Sequence, residues 1–192
     1  MPSLHQPVDV AASRRPPTPF AVVTRSQRAE PITQPRLVAR CRAMEAEALA
    51  SPPSLAAVLL QDGRHLTPAT LRSYTTLAAR GTDVVMYGRG LRAWLAPGVR
   101  GVAIGDDDPL GDVWAVVLAG SASPVVLAAL DLFAEGSTEA ERSFQVAVSR
   151  DSAVVRDCLR VLGLSEPLPA DPLVPVTERP VSGAARPGTP RS

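Results

Sequence analysis

The chain has 192 residues, 45% of them hydrophobic, with 20 basic and 19 acidic residues and a net charge of +1. This length and composition suffice for one domain with an ordinary core, and the balanced charge argues against nucleic acid or another polyanion as the partner. Nine of the 20 prolines lie at or before Pro53 and seven follow Leu164, which predicts a folded unit over 20–164 between disordered tails at 1–19 and 165–192.

The first predicted elements are a short strand and a helix. The apolar run at 20–24 predicts a short strand, or a segment that docks on the domain. Helical spacing of apolar residues predicts a helix from Arg36 to just before Ser51, with Glu45 and Glu47 facing away from the core. The residues of its buried face are Leu37, Cys41, Met44 and Ala48.

A strand and a helix around a polar loop form the centre of the chain. Six apolar residues at 55–60 are too few for an ordinary helix and predict a buried strand. The next helix ends at Gly81; Thr67 suits its N-cap, and Pro68 suits its first turn, where a missing N–H is no loss. The loop at 61–65 therefore joins the carboxyl end of a strand to a helix N-terminus, where α/β sheets often bind ligands. Whether it is a site or only a connector stays open.

Five more strands are predicted after this helix, at 83–87, 99–104, 113–119, 125–130 and 144–149. A turn at 121–124 joins two of them as an antiparallel hairpin, and 135–141 is either a loop or one helical turn. Asp151 suits the N-cap of a last helix that closes at Gly163. The sequence thus predicts a mixed α+β fold, with a single mixed sheet of about five or six strands and flanking helices.

Five stretches carry a resemblance to a known family: LLQDGRHLTPATLRSYTTLA (59–78), MYGRGL (86–91), APGVRGVAI (96–104), DPLGDVWAVVLAG (108–120) and ERSFQVAVSRD (141–151). In them the chain resembles the DICT sensory domain of bacterial signalling proteins, over about residues 20–163. The resemblance implies a cytoplasmic sensor or adaptor that works with diguanylate cyclases, phosphodiesterases, two-component proteins or helix-turn-helix regulators, and it implies no known reaction. All basic residues are arginine and asparagine is absent, which agrees with a GC-rich, actinobacterial source.

Polar and aromatic residues near the strand ends are the candidate ligand-binding residues. Three arginines among them could converge on an anion, because a guanidinium binds carboxylate or phosphate bidentately. Trp114 lies in an apolar strand, which favours a core position. The resemblance adds weight to Gln61, Arg64 and Trp114 without assigning them a role. The full set is Gln61, Arg64, His65, Arg89, Trp114 and Arg150.

Two other patterns are weaker. Residues 88–93 match the dinucleotide pattern G-x-G-x-x-A, with Asp106 downstream as a candidate ribose ligand. Only eight residues separate Gly90 from Val99, however, which leaves no room for the helix that would face a pyrophosphate. The acidic run at 106–108 lacks the calcium-loop pattern, so a solvated turn is favoured over a metal site.

Catalytic motifs are lacking in the sequence. The histidines are His5 and His65, and no G-x-S-x-G elbow, Walker loop or His/Cys metal cluster is present. Cys41 and Cys158 lie on apolar helix faces and are predicted to be buried, reduced thiols. We therefore predict no enzymatic activity, no cofactor and no bound metal.

The function predicted from the sequence is a noncatalytic sensory or regulatory module. It would bind a small ligand or a signalling protein of the two-component or cyclic-di-GMP-related kind. The alternatives are a structural adaptor or oligomerisation protein, with a homodimer left open, and a small nucleotide-dependent enzyme that uses Gly88, Gly90 and Asp106. No signal-peptide core or long apolar run is present, so the protein is predicted to be cytoplasmic, with no membrane or nucleic-acid partner.

Overall fold

In the computed structural model, the described residues are 16–120, 123–132 and 142–165. They form one mixed sheet with four α-helices. The helices are α1 (Pro19–Val23), α2 (Gln34–Ala50), α3 (Pro68–Ala79) and α4 (Ser152–Val161). The strands are β1 (Glu30–Thr33), β2 (Leu55–Asp62), β3 (Asp83–Arg89), β4 (Trp94–Ala96), β5 (Val99–Ala103), β6 (Val113–Ala119), β7 (Val125–Asp131) and β8 (Ser143–Ser149).

The sheet order is β1-β8-β7-β6-β2-β3-β5-β4. β3 pairs in parallel with β2 and β5, and the other neighbouring strands are antiparallel. The unit β2-α3-β3 is therefore a parallel crossover, as expected when a helix connects two neighbouring strands. The carboxyl end of β2 and the N-terminus of α3 meet at one end of the sheet, where the 61–65 segment joins them.

Helices cover both faces of the sheet. On one face, α2 and α3 bury Leu37, Met44 and Leu77 against β2, β3 and β6. On the other face, α1 and α4 bury Val23 and Leu159 against β6, β7 and β8. The central strands β2 and β6 are apolar on both sides because both of their faces are covered.

Helix starts and strand pairs follow local sequence signals. Thr67 accepts a hydrogen bond from Thr70 N at 3.1 Å, and Asp151 accepts one from Ala153 N at 2.8 Å, as the predicted N-caps require. The predicted antiparallel hairpin of β6 and β7 is confirmed. The predicted loop or turn at 135–141 lies outside the described residues, as do 1–15 and 166–192 of the predicted tails.

The prediction of five or six strands is wrong: the described residues contain eight. The two missed strands, β1 and β4, have four and three residues, too few to show an alternating pattern. Of the two alternatives for 20–24, the strand is wrong, because most of this segment belongs to α1, and the docked segment is confirmed, because Val22 and Val23 pack in the core. A five-residue apolar run does not distinguish strand from helix, and here Thr18 caps the first turn with Pro19 at its start.

Cys41 and Cys158 are both buried and free, as predicted. They belong to the clusters on opposite faces of the sheet, so the sheet keeps them from forming a disulfide with each other. Burial raises the pKa of each thiol to about 12. Both side chains are therefore packed thiols rather than reactive thiolates.

None of the helices within the three described ranges has the length and apolar content of a bilayer-spanning helix.

Candidate functional site

A cavity of about 240 Å3 lies between α2, the sheet and the start of α3. We call it the α2 cavity. Its apolar floor is the sheet, which contributes Val58, Leu60, Trp114 and Val116. Trp114 on β6 lies opposite Leu60 of β2 and Ala129 of β7, so a large ring forms the floor where the central strands end.

The segment from β2 to α3 forms the second wall. β2 continues to Asp62, but Gln61 has a φ of 62° and the pairing with β3 shifts between Leu59 and Asp62. Gln61 alone among the described non-glycine residues has positive φ, a conformation that costs roughly 1–3 kcal/mol and is common at functional sites. A 3-10 turn, Gly63–His65, follows this bulge, and Asp62 caps it by accepting a hydrogen bond from Arg64 N at 2.8 Å.

This turn places His65 against the tryptophan of the floor. The rings of His65 and Trp114 stack with centroids 5.7 Å apart and an angle of 28° between their planes. His65 Nδ1 lies 2.9 Å from Leu60 O, and it must carry the hydrogen because a carbonyl oxygen can only accept. Arg64, Thr67 and His65 then line the cavity together.

Helix α2 forms the third wall, with Gln34, Cys41, Arg42 and Glu45. Glu45 was predicted to face away from the core, and this is wrong: it is half-buried and lines the cavity. Burial raises the pKa of its carboxyl group, and the charge of Arg42 opposes that shift. Position 45 is one residue beyond the core position Met44, so its side chain lies at the margin of the buried stripe.

The end of the sheet beside the α2 cavity holds a buried polar cluster of Gln61, Asp131 and Arg142. Arg142 forms an ion pair with Asp131, lies 3.5 Å from Gln61 Oε1, and stands over the ring of Phe144 at 5.5 Å from its centroid. Its backbone oxygen accepts a hydrogen bond from Gln34 N at 3.0 Å. The cluster thus ties the start of α2 to the ends of β2 and β7.

The predicted site residues fall into two groups. Arg64, His65 and Trp114 meet at the α2 cavity, and Gln61 is in the adjoining polar cluster. Arg89 instead donates hydrogen bonds to the carbonyl oxygens of Asp106 and Gly111, both at 3.1 Å. Arg150 pairs with Glu47 at 3.1 Å on the outer surface. Of the three arginines, Arg64 is therefore the one among the described lining residues of the cavity.

The G-x-G-x-x-A loop lies at the end of β3, and the acidic run follows the end of β5. The segment after Gly90 enters β4, so no helix N-terminus faces the G-x-G-x-x-A loop in this fully described part of the chain. Asp108 caps the 3-10 turn Pro109–Asp112 by accepting from Leu110 N at 2.9 Å. Across the described ranges, no three His, Cys, Asp or Glu side chains are grouped as metal ligands.

Sequence reasoning missed Gln34, Arg42 and Glu45 of the cavity, and Arg142 of the polar cluster. The residues on α2 carried one signal: 34, 38, 42 and 45 form a helical stripe beside the core stripe. Arg142 carried no signal, because its partners Gln61 and Asp131 are distant in sequence. Only strand pairing brings them together.

Two glutamates on α2 are expected to affect stability in opposite directions. The folded-state pKa of Glu45 is raised above its ordinary 4.5 by burial, so the ionised carboxylate costs stability above that pH. The pKa of Glu47 is lowered by its hydrogen bonds from Arg150, so its carboxylate contributes stability that is lost as the pH falls. At neutral pH, Glu45→Gln should raise the thermal unfolding midpoint and Glu47→Gln should lower it.

Both differences should vanish well below pH 4.5, where the glutamates are protonated in the folded and unfolded states. Thermal unfolding followed by circular dichroism at neutral and acidic pH measures both effects. A loss of stability in Glu45→Gln at neutral pH would contradict the assignment of Glu45 as a carboxylate strained by burial.

Together, the fold and site define a three-layer, mixed α+β protein with a partly open cavity of about 240 Å3 at the carboxyl end of a central strand. No family model matches the chain, and no curated protein matches it. Among solved structures it is similar to a polyphosphate kinase from Porphyromonas gingivalis, with 16% identity and a TM-score of 0.45. That match covers 72% of this chain and 24% of the kinase chain, so this chain spans about a quarter of that protein. Similarity at this level assigns neither a fold family nor an activity.

Proposed function

We propose that this chain is a noncatalytic sensory or regulatory module, of the kind represented by DICT domains, that binds a small ligand in the α2 cavity. The observation that carries the proposal is the meeting of Arg64, His65 and Trp114 around one cavity. Apolar walls with a few convergent polar groups are typical of small-molecule sites. The location, at the start of α3, agrees with the preference of α/β proteins for sites at strand carboxyl ends.

Buried carboxamide groups next to the cavity support the proposal that a ligand binds there. Gln34 Oε1 and Gln61 Nε2 are buried and have no hydrogen-bond partner among the described residues. Buried polar atoms are normally paired, and leaving one unpaired costs about 1–3 kcal/mol. Gln34 lines the cavity, so a bound molecule can supply the partner that its carboxamide oxygen lacks.

The groups around the cavity favour binding over catalysis. Burial raises the pKa of Cys41 to about 12 and that of the Tyr74 hydroxyl well above its usual range, so neither group is a ready nucleophile. The Thr67 hydroxyl is 2.9 Å from that of Thr70 and caps α3. We therefore propose that the site binds a ligand and does not catalyse a reaction.

A fluorescence and thermal-shift screen of the full chain tests this proposal. The chain has two tryptophans, so a Trp94→Phe background leaves Trp114 as the reporter inside the cavity. Small organic acids, amines, amino acids and nucleotides form the panel. A ligand at a hundredfold excess over its Kd should stabilise the protein by about 2.7 kcal/mol, and it should change the emission of Trp114.

The matched variants are Arg64→Ala, which removes a lining arginine, and Arg72→Ala, which removes an exposed arginine on α3. A hit should be lost in the first variant and kept in the second. A panel without any hit would overturn the proposal. If a compound binds Arg64→Ala with unchanged affinity and does not change the emission of Trp114, its binding site lies outside the α2 cavity.

A second candidate function, an adaptor that pairs through its sheet edge, has one observation in its favour. Trp94 on the edge strand β4 is 70% exposed, and Val102 on neighbouring β5 is also exposed. Large exposed apolar groups at a sheet edge are typical of interaction surfaces. Light scattering should then detect a stable dimer of the full chain that Trp94→Ser dissociates, together with no response to any compound in the screen.

A further inference from the structure

Resting on the proposed ligand site, we infer that the α2 cavity takes a small planar organic anion, an aromatic carboxylate whose ring lies on the His65 and Trp114 side and whose charge meets Arg64 and Arg42.

Charge at the mouth of the cavity favours an anion. Arg42 on α2 and Arg64 on the β2 to α3 turn both line the cavity, and both are exposed at its edge. The guanidinium of Arg64 has no hydrogen bond or ion pair within the described parts of the chain. Asp62, its neighbour, is bonded to the backbone N–H of Arg64 instead. Two guanidinium groups that line one cavity suit the two oxygens of one carboxylate.

Glu45, the acidic residue among the described lining residues, offsets only part of the charge of the two arginines. Glu45 lies one helical turn after Arg42 and lines the same cavity, and burial raises the pKa of its carboxyl group while the charge of Arg42 opposes that shift. The N-terminus of α3 adds positive potential to the cavity. Thr67 and Thr70 at this terminus line the cavity, and helix N-termini favour negative charge. A cationic ligand would meet two arginines and one carboxylate, so the balance of charge selects against it.

The shape and size of the cavity favour a flat ring. Val58, Leu60 and Val116 form an apolar surface beside the stacked His65 and Trp114 rings, and aromatic groups prefer stacked or edge contacts with such rings. The cavity has a volume of about 240 Å3. This volume is below the approximately 300–1,000 Å3 of sites for drug-sized ligands. A ring with one short acidic arm fits this volume, whereas a dinucleotide is larger than the cavity.

Calorimetric titration of the full chain with three compounds of similar shape tests the inference. The compounds are phenylacetate, its neutral amide phenylacetamide, and the cation phenethylamine. Phenylacetate should bind at least tenfold more tightly than the amide, and the amine should bind more weakly still. Binding of phenylacetate should weaken as salt is added, because the arginines are at the exposed mouth.

Three variants separate charge recognition from structural damage. Arg64→Ala and Arg42→Ala should each weaken phenylacetate binding about tenfold and leave the affinity for the amide unchanged, whereas Arg72→Ala should change neither. Glu45→Gln should tighten phenylacetate binding at neutral pH, since it removes a like charge. A variant that merely damaged the fold would weaken all compounds together.

The outcomes distinguish this inference from the proposed function. Equal binding of acid and amide, or tighter binding of the amine, would overturn the anion inference. The anion inference would also be overturned if none of the three compounds bound while another class from the panel did. If that binding depended on Arg64 and changed the emission of Trp114, the proposed ligand site would still hold. Absence of binding by every class would overturn both.

Discussion

Replacing Trp114 with alanine is expected to lower the free energy of unfolding by about 3–5 kcal/mol, the usual cost of deleting a buried large aromatic side chain. Trp114 is 9% exposed. It lies on central strand β6, between Leu60 of β2 and Ala129 of β7, and its ring stacks on His65. Truncation therefore removes packing at the middle of the sheet and widens the α2 cavity at the same time. Urea unfolding followed by far-UV circular dichroism measures the loss.

The other tryptophan of the chain is the matched control. Trp94 is 70% exposed on the edge strand β4, so Trp94→Ala should change stability by no more than about 0.5 kcal/mol. Trp114→Phe should lose less than Trp114→Ala, because a ring remains to fill part of the space. Equal losses in the two alanine variants would contradict the position of Trp114 in the core.

The second large effect is expected at the buried polar cluster. The side chain of Asp131 is 1% exposed and that of its partner Arg142 is 19% exposed. Asp131→Asn leaves the guanidinium group without its ionised partner in a poorly solvated place, which typically costs about 3–5 kcal/mol. Because Arg142 retains some contact with water, we expect a loss of about 3 kcal/mol in urea unfolding.

An exposed pair on the same sheet serves as the control for this variant. Arg100 contacts Asp83 at 2.8 Å, with side chains 45% and 47% exposed, so Asp83→Asn should cost at most about 1 kcal/mol. Adding Arg142→Met to Asp131→Asn should recover part of the stability, since the buried charge is then gone. Losses of the same small size in Asp131→Asn and Asp83→Asn would show that the cluster is solvated.

The polar cluster and the cavity are expected to depend on each other. Gln61 belongs to the cluster, and the bulge at its positive φ directs the following turn, which carries Arg64 and His65, to the cavity. Arg142 accepts the Gln34 N–H through its backbone oxygen and so holds the start of α2. Two walls of the cavity are thereby anchored by one buried network, in line with the need of binding sites for a rigid supporting shell.

Elements with strong local signals were predictable from the sequence alone. Thr67 and Pro68 define the start of α3, Asp151 defines the start of α4, and an apolar run predicts β2, because caps and periodicity act within a few residues. The mixed sheet with helices followed from the order of these elements. Arg64, His65 and Trp114 could be proposed as site residues because they stand at the ends of predicted strands.

The tertiary structure decided the features that depend on contacts between distant residues. β1 and β4 are too short to have a pattern and exist through pairing with β8 and β5. Glu45 lines the cavity because α2 packs across the ends of β2 and β6, a contact that helical spacing does not encode. Asp131 and Arg142 become an ion pair because the antiparallel pairing of β7 and β8 sets Asp131 opposite Phe144. Such contacts depend on packing of whole elements, and a single sequence shows periodicity and capping but not which faces meet.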